Sequence, residues 1–130
     1  MAKYVFPAII EKADDGYNVS FPDIENCFTC GKTFAEAIEM AQDVLPLMLC
    51  QMEDDKTPIP EASDISALHL AENETVTYIV ADTMKYREKY NTKAVKKTLT
   101  IPQWMIEAAA KANINFSQVL QDALREKLSV

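Results

Sequence analysis

The chain has 130 residues and a net charge of −7. A hydrophobic share of 48% with two glycines excludes a disordered chain and fits one domain or two small ones. No run of about 18 apolar residues occurs, which excludes a spanning helix.

Tyr4 to Glu11 (YVFPAIIE) is rich in β-branched and aromatic residues and reads as a strand. Pro7 cannot donate to a ladder, so an edge or a bulge is expected there. Ala13-Asp14-Asp15-Gly16 signals a hairpin turn centred on Asp15-Gly16. Tyr17 to Phe21 alternates and is the return strand, ended by Pro22-Asp23. Thr33-Phe34-Ala35-Glu36 is a capping box, and Gly31 permits the turn into the helix. Phe34, Ala37, Ile38, Ala41, Val44, Leu45, Met48 and Met52 follow with helical spacing. Pro46 should kink that helix or split it near Val44.

Glu53 to Asp64 is polar and proline-bearing, hence a loop. A weak strand is expected over Ser66 to Leu70 and a strong one over Val76 to Ala81. Asp82 can cap a short helix through Tyr90, which Asn91 ends. Residues 91–93 then form a linker.

Beyond the linker the pattern and the charge both change. Residues 1–92 carry seven Lys and Arg against 17 Asp and Glu, a net of −10. Residues 93–130 carry six against three, a net of +3. Such asymmetry points to two different partners. Lys96, Thr98 and Thr100 alternate with Lys97, Leu99 and Ile101, as in a strand with one polar face. A first helix should run from Pro102 to about Ala112, with Met105, Ala108, Ala109 and Ala112 as a narrow apolar stripe. Trp104 lies beside this stripe. Asn113 suits the left-handed position after the helix, and Asn115 suits the cap of the next. In that second helix Phe116, Val119, Leu120, Ala123, Leu124 and Leu128 share a face.

One copy of this unit has too little core to stand alone, and its strand lacks a partner. Pairing two copies supplies both. Leu99, Ile101, Met105, Val119, Leu120, Ala123 and Leu124 then form the dimer core. The resulting two-stranded ribbon suits a DNA major groove, with Lys96, Thr98 and Thr100 toward base edges. Lys93, Lys97 and the helix start at Asn115, Phe116 and Ser117 are the candidate phosphate contacts. The segment Lys96-x-Thr98-x-Thr100-Ile101-Pro102, the Asn113-to-Ser117 turn and the apolar second helix resemble a ribbon–helix–helix DNA-binding domain. Asn113 stands where such domains usually carry glycine.

With this module included, nearly the whole chain resembles the HicB antitoxin family, Ala94 to Pro102 being one of the matching stretches. The other matching residues are Phe6-Pro7-Ala8-Ile9-Ile10, Gly16-Tyr17-x-Val19-x-Phe21-Pro22-Asp23, Cys27-x-Thr29-x-Gly31-x-Thr33-x-x-Glu36-Ala37 and Ile59-Pro60-Glu61. The resemblance implies an α+β chain. A partial RNase H-like domain of antiparallel sheet plus helix, residues 1–90, would be followed by a ribbon–helix–helix domain at 94–130. It also implies a small basic HicA-like toxin that cleaves mRNA as partner, operator DNA as a second ligand, and a homodimer or tetramer. Asp14, Asp15, Asp23 and Glu25 are the candidate acidic contacts for the toxin.

No catalytic role, cofactor, metal or membrane association is expected. Cys27-Phe28-Thr29-Cys30 is a CxxC, but a structural zinc site needs four ligands, and Cys50 and His69 are poorly placed to complete one. Three cysteines do not make a disulfide framework. The N-terminus meets charge too early for a signal peptide, so a cytoplasmic protein is expected. The rival reading is a stand-alone ribbon–helix–helix repressor whose N-terminal domain senses a ligand or another protein.

Overall fold

The computed structural model describes residues 2–129. Val130, the last residue of the expected C-terminal domain, lies outside the described residues. The chain divides into two compact units, Met1–Asn91 and Thr92–Val130. It is α+β, with an antiparallel sheet in the first unit.

That sheet has the strand order β3-β2-β1-β4. The strands are β1 (Lys3–Ala13), β2 (Gly16–Ser20), β3 (Phe28–Gly31) and β4 (Glu74–Asp82). Strand β1 is therefore internal. It pairs with β4 from Lys3↔Asp82 to Glu11↔Glu74, and with β2 from Ile9↔Ser20 to Ala13↔Gly16. Pro7 lies opposite Tyr78 of β4, while the β2 ladder begins two residues later, at Ile9. The missing N–H thus falls where β1 is locally an edge, and no bulge is needed.

The hairpin turn differs from expectation. Ala13 pairs with Gly16, so Asp14-Asp15 are the two central residues. Neither aspartate has positive φ; Gly16, at φ 155°, completes the reversal.

Alternate β1 residues Phe6, Ala8 and Ile10 are buried, together with Val19, Ile79 and Ala81. They meet helix α1 (Phe34–Asp54). Thr33 caps it, its hydroxyl accepting from the Glu36 N–H at 3.1 Å. Ala37, Ala41, Leu45 and Leu49, four residues apart, are fully enclosed, and the two alanines let the helix lie close to the sheet. Gly31 matters for the same reason rather than for a turn. A Cβ there would sit 2.4 Å from the Ala37 nitrogen. Pro46 is buried inside a helix that nevertheless runs on to Asp54. The split expected near Val44 does not occur: burial of Leu45 and Leu49, before and after Pro46, outweighs the hydrogen bond that Pro46 cannot make to Gln42.

Two elements depart from the sequence reading. Strand β3 was not expected; it forms because β2 offers it a ladder from Tyr17↔Gly31 to Ser20↔Phe28. The strand expected over Ser66 to Leu70 is absent. A 3-10 turn spans Ile65–Ala67 instead, because the Asp64 carboxylate accepts from both the N–H and the hydroxyl of Ser66. Helix α2 (Thr83–Tyr90) follows β4 directly, with Asp82 accepting from the Lys85 N–H at 3.1 Å.

The second unit consists of helices α3 (Gln103–Lys111) and α4 (Phe116–Leu128) after an extended lead. Asn113 adopts φ 56°. The Asn113 N–H bonds to the Ala110 carbonyl and the Ile114 N–H to the Ala109 carbonyl, closing α3 with both hydrogen bonds of a Schellman motif. The Asn115 side chain then caps α4, accepting from the Gln118 N–H at 3.1 Å.

Candidate functional site

The second unit has helices but no interior. Every described residue from 92 to 129 is exposed except Ile101 and Ala109, which are half-buried. Its apolar residues instead line an open hollow of about 530 Å³. Leu99, Ile101, Met105, Val119, Leu120 and Ala123 all contribute, while Leu124 lies outside it and is 49% exposed. Trp104 also lines the hollow, rather than standing beside the apolar stripe. Phe116 lines it as well, which directs its side chain away from a phosphate role and leaves its backbone N–H for one.

Lys96, Thr98 and Thr100 are exposed, as are Lys93, Lys97, Asn115 and Ser117. The lead from Ala94 to Ile101 forms no ladder in the single chain. Its backbone donors and acceptors are open to a strand from elsewhere.

In the first unit the four acidic candidates separate into two places. Asp14 and Asp15 form the β1–β2 turn. Asp23 and Glu25 follow the other end of β2, roughly 13 Å away at 3.3 Å per residue. Asp23 accepts from the Ser63 N–H at 2.9 Å and from the Ser63 hydroxyl, so it also anchors the loop after α1. Glu25 is exposed.

A polar cluster that sequence reading missed joins β1, α1 and α2. Glu53 accepts from the Tyr4 hydroxyl at 2.9 Å, the Thr83 hydroxyl at 3.0 Å and the Arg87 guanidinium at 3.1 Å. Arg87 also pairs with Asp54 at 2.9 Å and donates to the Cys50 carbonyl. Burial pushes the Glu53 carboxyl up, but hydrogen bonds from donors that include Tyr4, Arg87 and Thr83 hold it down at about 2. Hydrogen bonding to Asp54, against the cost of burial, raises the Arg87 guanidinium. Tyr4, Glu53 and the Thr83–Arg87 pair come from three segments distant in sequence, so no local pattern signals their meeting. The cluster is a structural tie.

The cysteines do not act together. Cys27 is buried, and burial pushes its thiol up to about 11, which suits an inert packing residue. Cys30 is exposed. Among the described residues, no group of three His, Cys, Asp or Glu is placed to hold a metal ion. No described helix is long and apolar enough to cross a membrane.

The chain thus joins an acidic sheet-and-helix unit to a basic unit whose apolar residues line an open hollow. Comparison with known proteins gives the chain its family. The model for the HicB_like antitoxin of bacterial toxin–antitoxin systems matches residues 6–123, and the chain belongs to that family. A chain of a toxin–antitoxin complex from Streptococcus pneumoniae is 27% identical, with a TM-score of 0.62, covering 96% of this chain and 99% of that one. A chain of the HicA3 and HicB3 toxin–antitoxin complex is 26% identical, with a TM-score of 0.51, covering 61% of this chain and 99% of that one. A 14.9 kDa protein from the rep–hol intergenic region of Haemophilus phage HP1 is 29% identical over 102 residues, 78% of this chain and 76% of its relative.

Proposed function

We propose that the chain is an antitoxin that neutralises a HicA-like, mRNA-cleaving toxin and represses its own operon as a dimer. Residues 1–90 form the toxin-binding domain, of partial RNase H-like fold, and act by covering the toxin's working surface. No catalysis is required of them. Their net negative charge complements a basic partner, with Asp14, Asp15, Asp23 and Glu25 as contacts. The toxin–antitoxin complexes among the similar structures support this partner.

Residues 91–93 are the linker, and residues 94–130 the ribbon–helix–helix domain. The observation that carries the dimer is the outward-facing apolar hollow of this unit. Two copies would close it and pair their extended leads into a ribbon, alone or within a tetramer. Lys96, Thr98 and Thr100 of both strands would then face bases in the major groove of a pseudo-palindromic operator. Lys93, Lys97 and the backbone at Asn115, Phe116 and Ser117 would hold phosphates. A protein that works on both ligands works in the cytoplasm.

The test is co-expression of the full chain with a small basic HicA-like protein, sought in the reading frame beside it. Co-purification, suppression of that protein's toxicity, and sedimentation as a dimer or larger are the expected results. A folded monomer at micromolar concentration, or undiminished toxicity, overturns the proposal.

A further inference from the structure

Strand β4 ends the sheet. Its register to β1 is one-to-one over nine pairs, without a bulge. Lys12 N–H donates to the Asn73 carbonyl at 2.9 Å, and Thr83 N–H to the Ala2 carbonyl at 3.1 Å. In an antiparallel ladder the N–H and C=O of one residue point to the same side, and the side alternates along the strand. The odd-numbered residues of β4 therefore bond to β1. Val76, Tyr78 and Val80 turn their backbone groups outward, and among the described residues no strand meets them.

Edges of this kind are normally blunted by shortness, lysine, proline or a bulge. The other edge, β3, is short, with four residues. Strand β4 has nine residues and contains no Lys, Arg, Pro or Gly. Its side chains add apolar surface: Tyr78 is 47% exposed and Val80 62%, beside Val5 of β1 at 45%.

A second copy fits this edge poorly. Antiparallel self-pairing centred on Tyr78 would set Glu74 of each copy against Asp82 of the other, and like charges placed opposite each other destabilise a ladder. A strand from a basic protein fits well. Its apolar centre would pack on Tyr78, Val80 and Val5, and Lys or Arg toward its ends would meet Glu74 and Asp82. Glu11, paired with Glu74, extends the acidic end.

We infer that the free edge of β4 receives a strand of the basic toxin, continuing the sheet from one protein into the other. This rests on the antitoxin reading above. The toxin would be held by main-chain hydrogen bonds to Val76, Tyr78 and Val80, with carboxylates gripping both ends of the added strand.

The test uses the full chain with the small basic HicA-like protein that the co-expression above identifies as its partner. Tyr78→Pro removes an outward N–H and leaves the β1 ladder its donors, a substitution an edge strand tolerates. The expected result is a folded chain of unchanged sedimentation whose toxin affinity falls by about tenfold or more. NMR-detected hydrogen exchange on the unmodified chain gives a second reading that does not depend on the variant's folding. The amides of Val76, Tyr78 and Val80 should exchange fast in the free chain and at least about tenfold slower in the complex. Unchanged affinity in the folded variant overturns the inference. So do amides that stay fast in the complex, or that are protected without toxin as the chain self-associates. An unmodified chain that binds no toxin removes the antitoxin reading itself. One that binds, while Tyr78→Pro binds equally well, removes the edge alone.

Discussion

The hydroxyl of Thr83 donates to Oε2 of Glu53 at 3.0 Å, and through this contact the start of α2 is tied to the end of α1. Thr83 is fully enclosed, and the side chain of Glu53 is 12% exposed. The pair makes stability depend on acid. With the folded carboxyl near 2 and an unfolded value of about 4.3, the folded chain binds fewer protons between these values. The stabilisation is complete above the unfolded value and disappears as pH falls through the folded one. Urea melts at pH 7, 5 and 3 should show almost no loss from this group down to pH 5 and a loss of about 1–2 kcal/mol by pH 3, more than half of the roughly 3 kcal/mol that is gone once pH is below the folded value. Glu53→Gln should flatten that part of the slope, and an unchanged slope would show that the cluster does not form.

Leu45 occupies the centre of the buried face of α1, with no exposed surface. Leu45→Ala should cost about 2–5 kcal/mol through reduced burial and the cavity left behind. Chemical denaturation of the full chain measures this directly.

Gly31 should tolerate no side chain, because a Cβ would stand 2.4 Å from the Ala37 nitrogen. Gly31→Ala must push the start of α1 off β3. A loss of about 1–3 kcal/mol is expected, with the Ala37 amide shifted in an NMR spectrum. A silent substitution would mean that helix and strand do not approach this closely.

In the second unit, Leu120→Asp puts a carboxylate into the apolar hollow. The proposed dimer should dissociate and α3–α4 helicity should fall, read by sedimentation and circular dichroism. Thr98→Ala with Thr100→Ala should act differently. The dimer should persist while operator binding weakens, by about 1–3 kcal/mol for each threonine that reads a base. A gel-shift series at fixed salt separates the two effects.

Much of the fold was legible because its signals are local. The Thr33, Asp82 and Asn115 caps each lie within three residues of the N–H they bind. Asn113 announced its left-handed backbone by its identity alone. Strand β3 was not legible: Phe-Thr-Cys-Gly has no useful alternation, and it becomes a strand because β2 lies beside it. The Asp64 carboxylate overrode the strand-like pattern of Ser66 to Leu70. The Glu53 cluster and the bare edge of β4 depend on the order of strands and the direction of α1, which no short window contains. The acidic candidates were chosen for charge, and the sheet separates Asp14 and Asp15 from Asp23 and Glu25.

If two copies pair as proposed, a stretch of helices with nothing inside it owes its order to mass action. Residues 92–129 enclose no side chain of their own, so whatever covers their apolar side sets how long they stay folded. When cover is scarce, the same stretch becomes a long accessible substrate for proteases, whose cleavage follows the population of the open form. Under the proposed pairing, scarcity of this protein would expose this stretch to whatever protease is present.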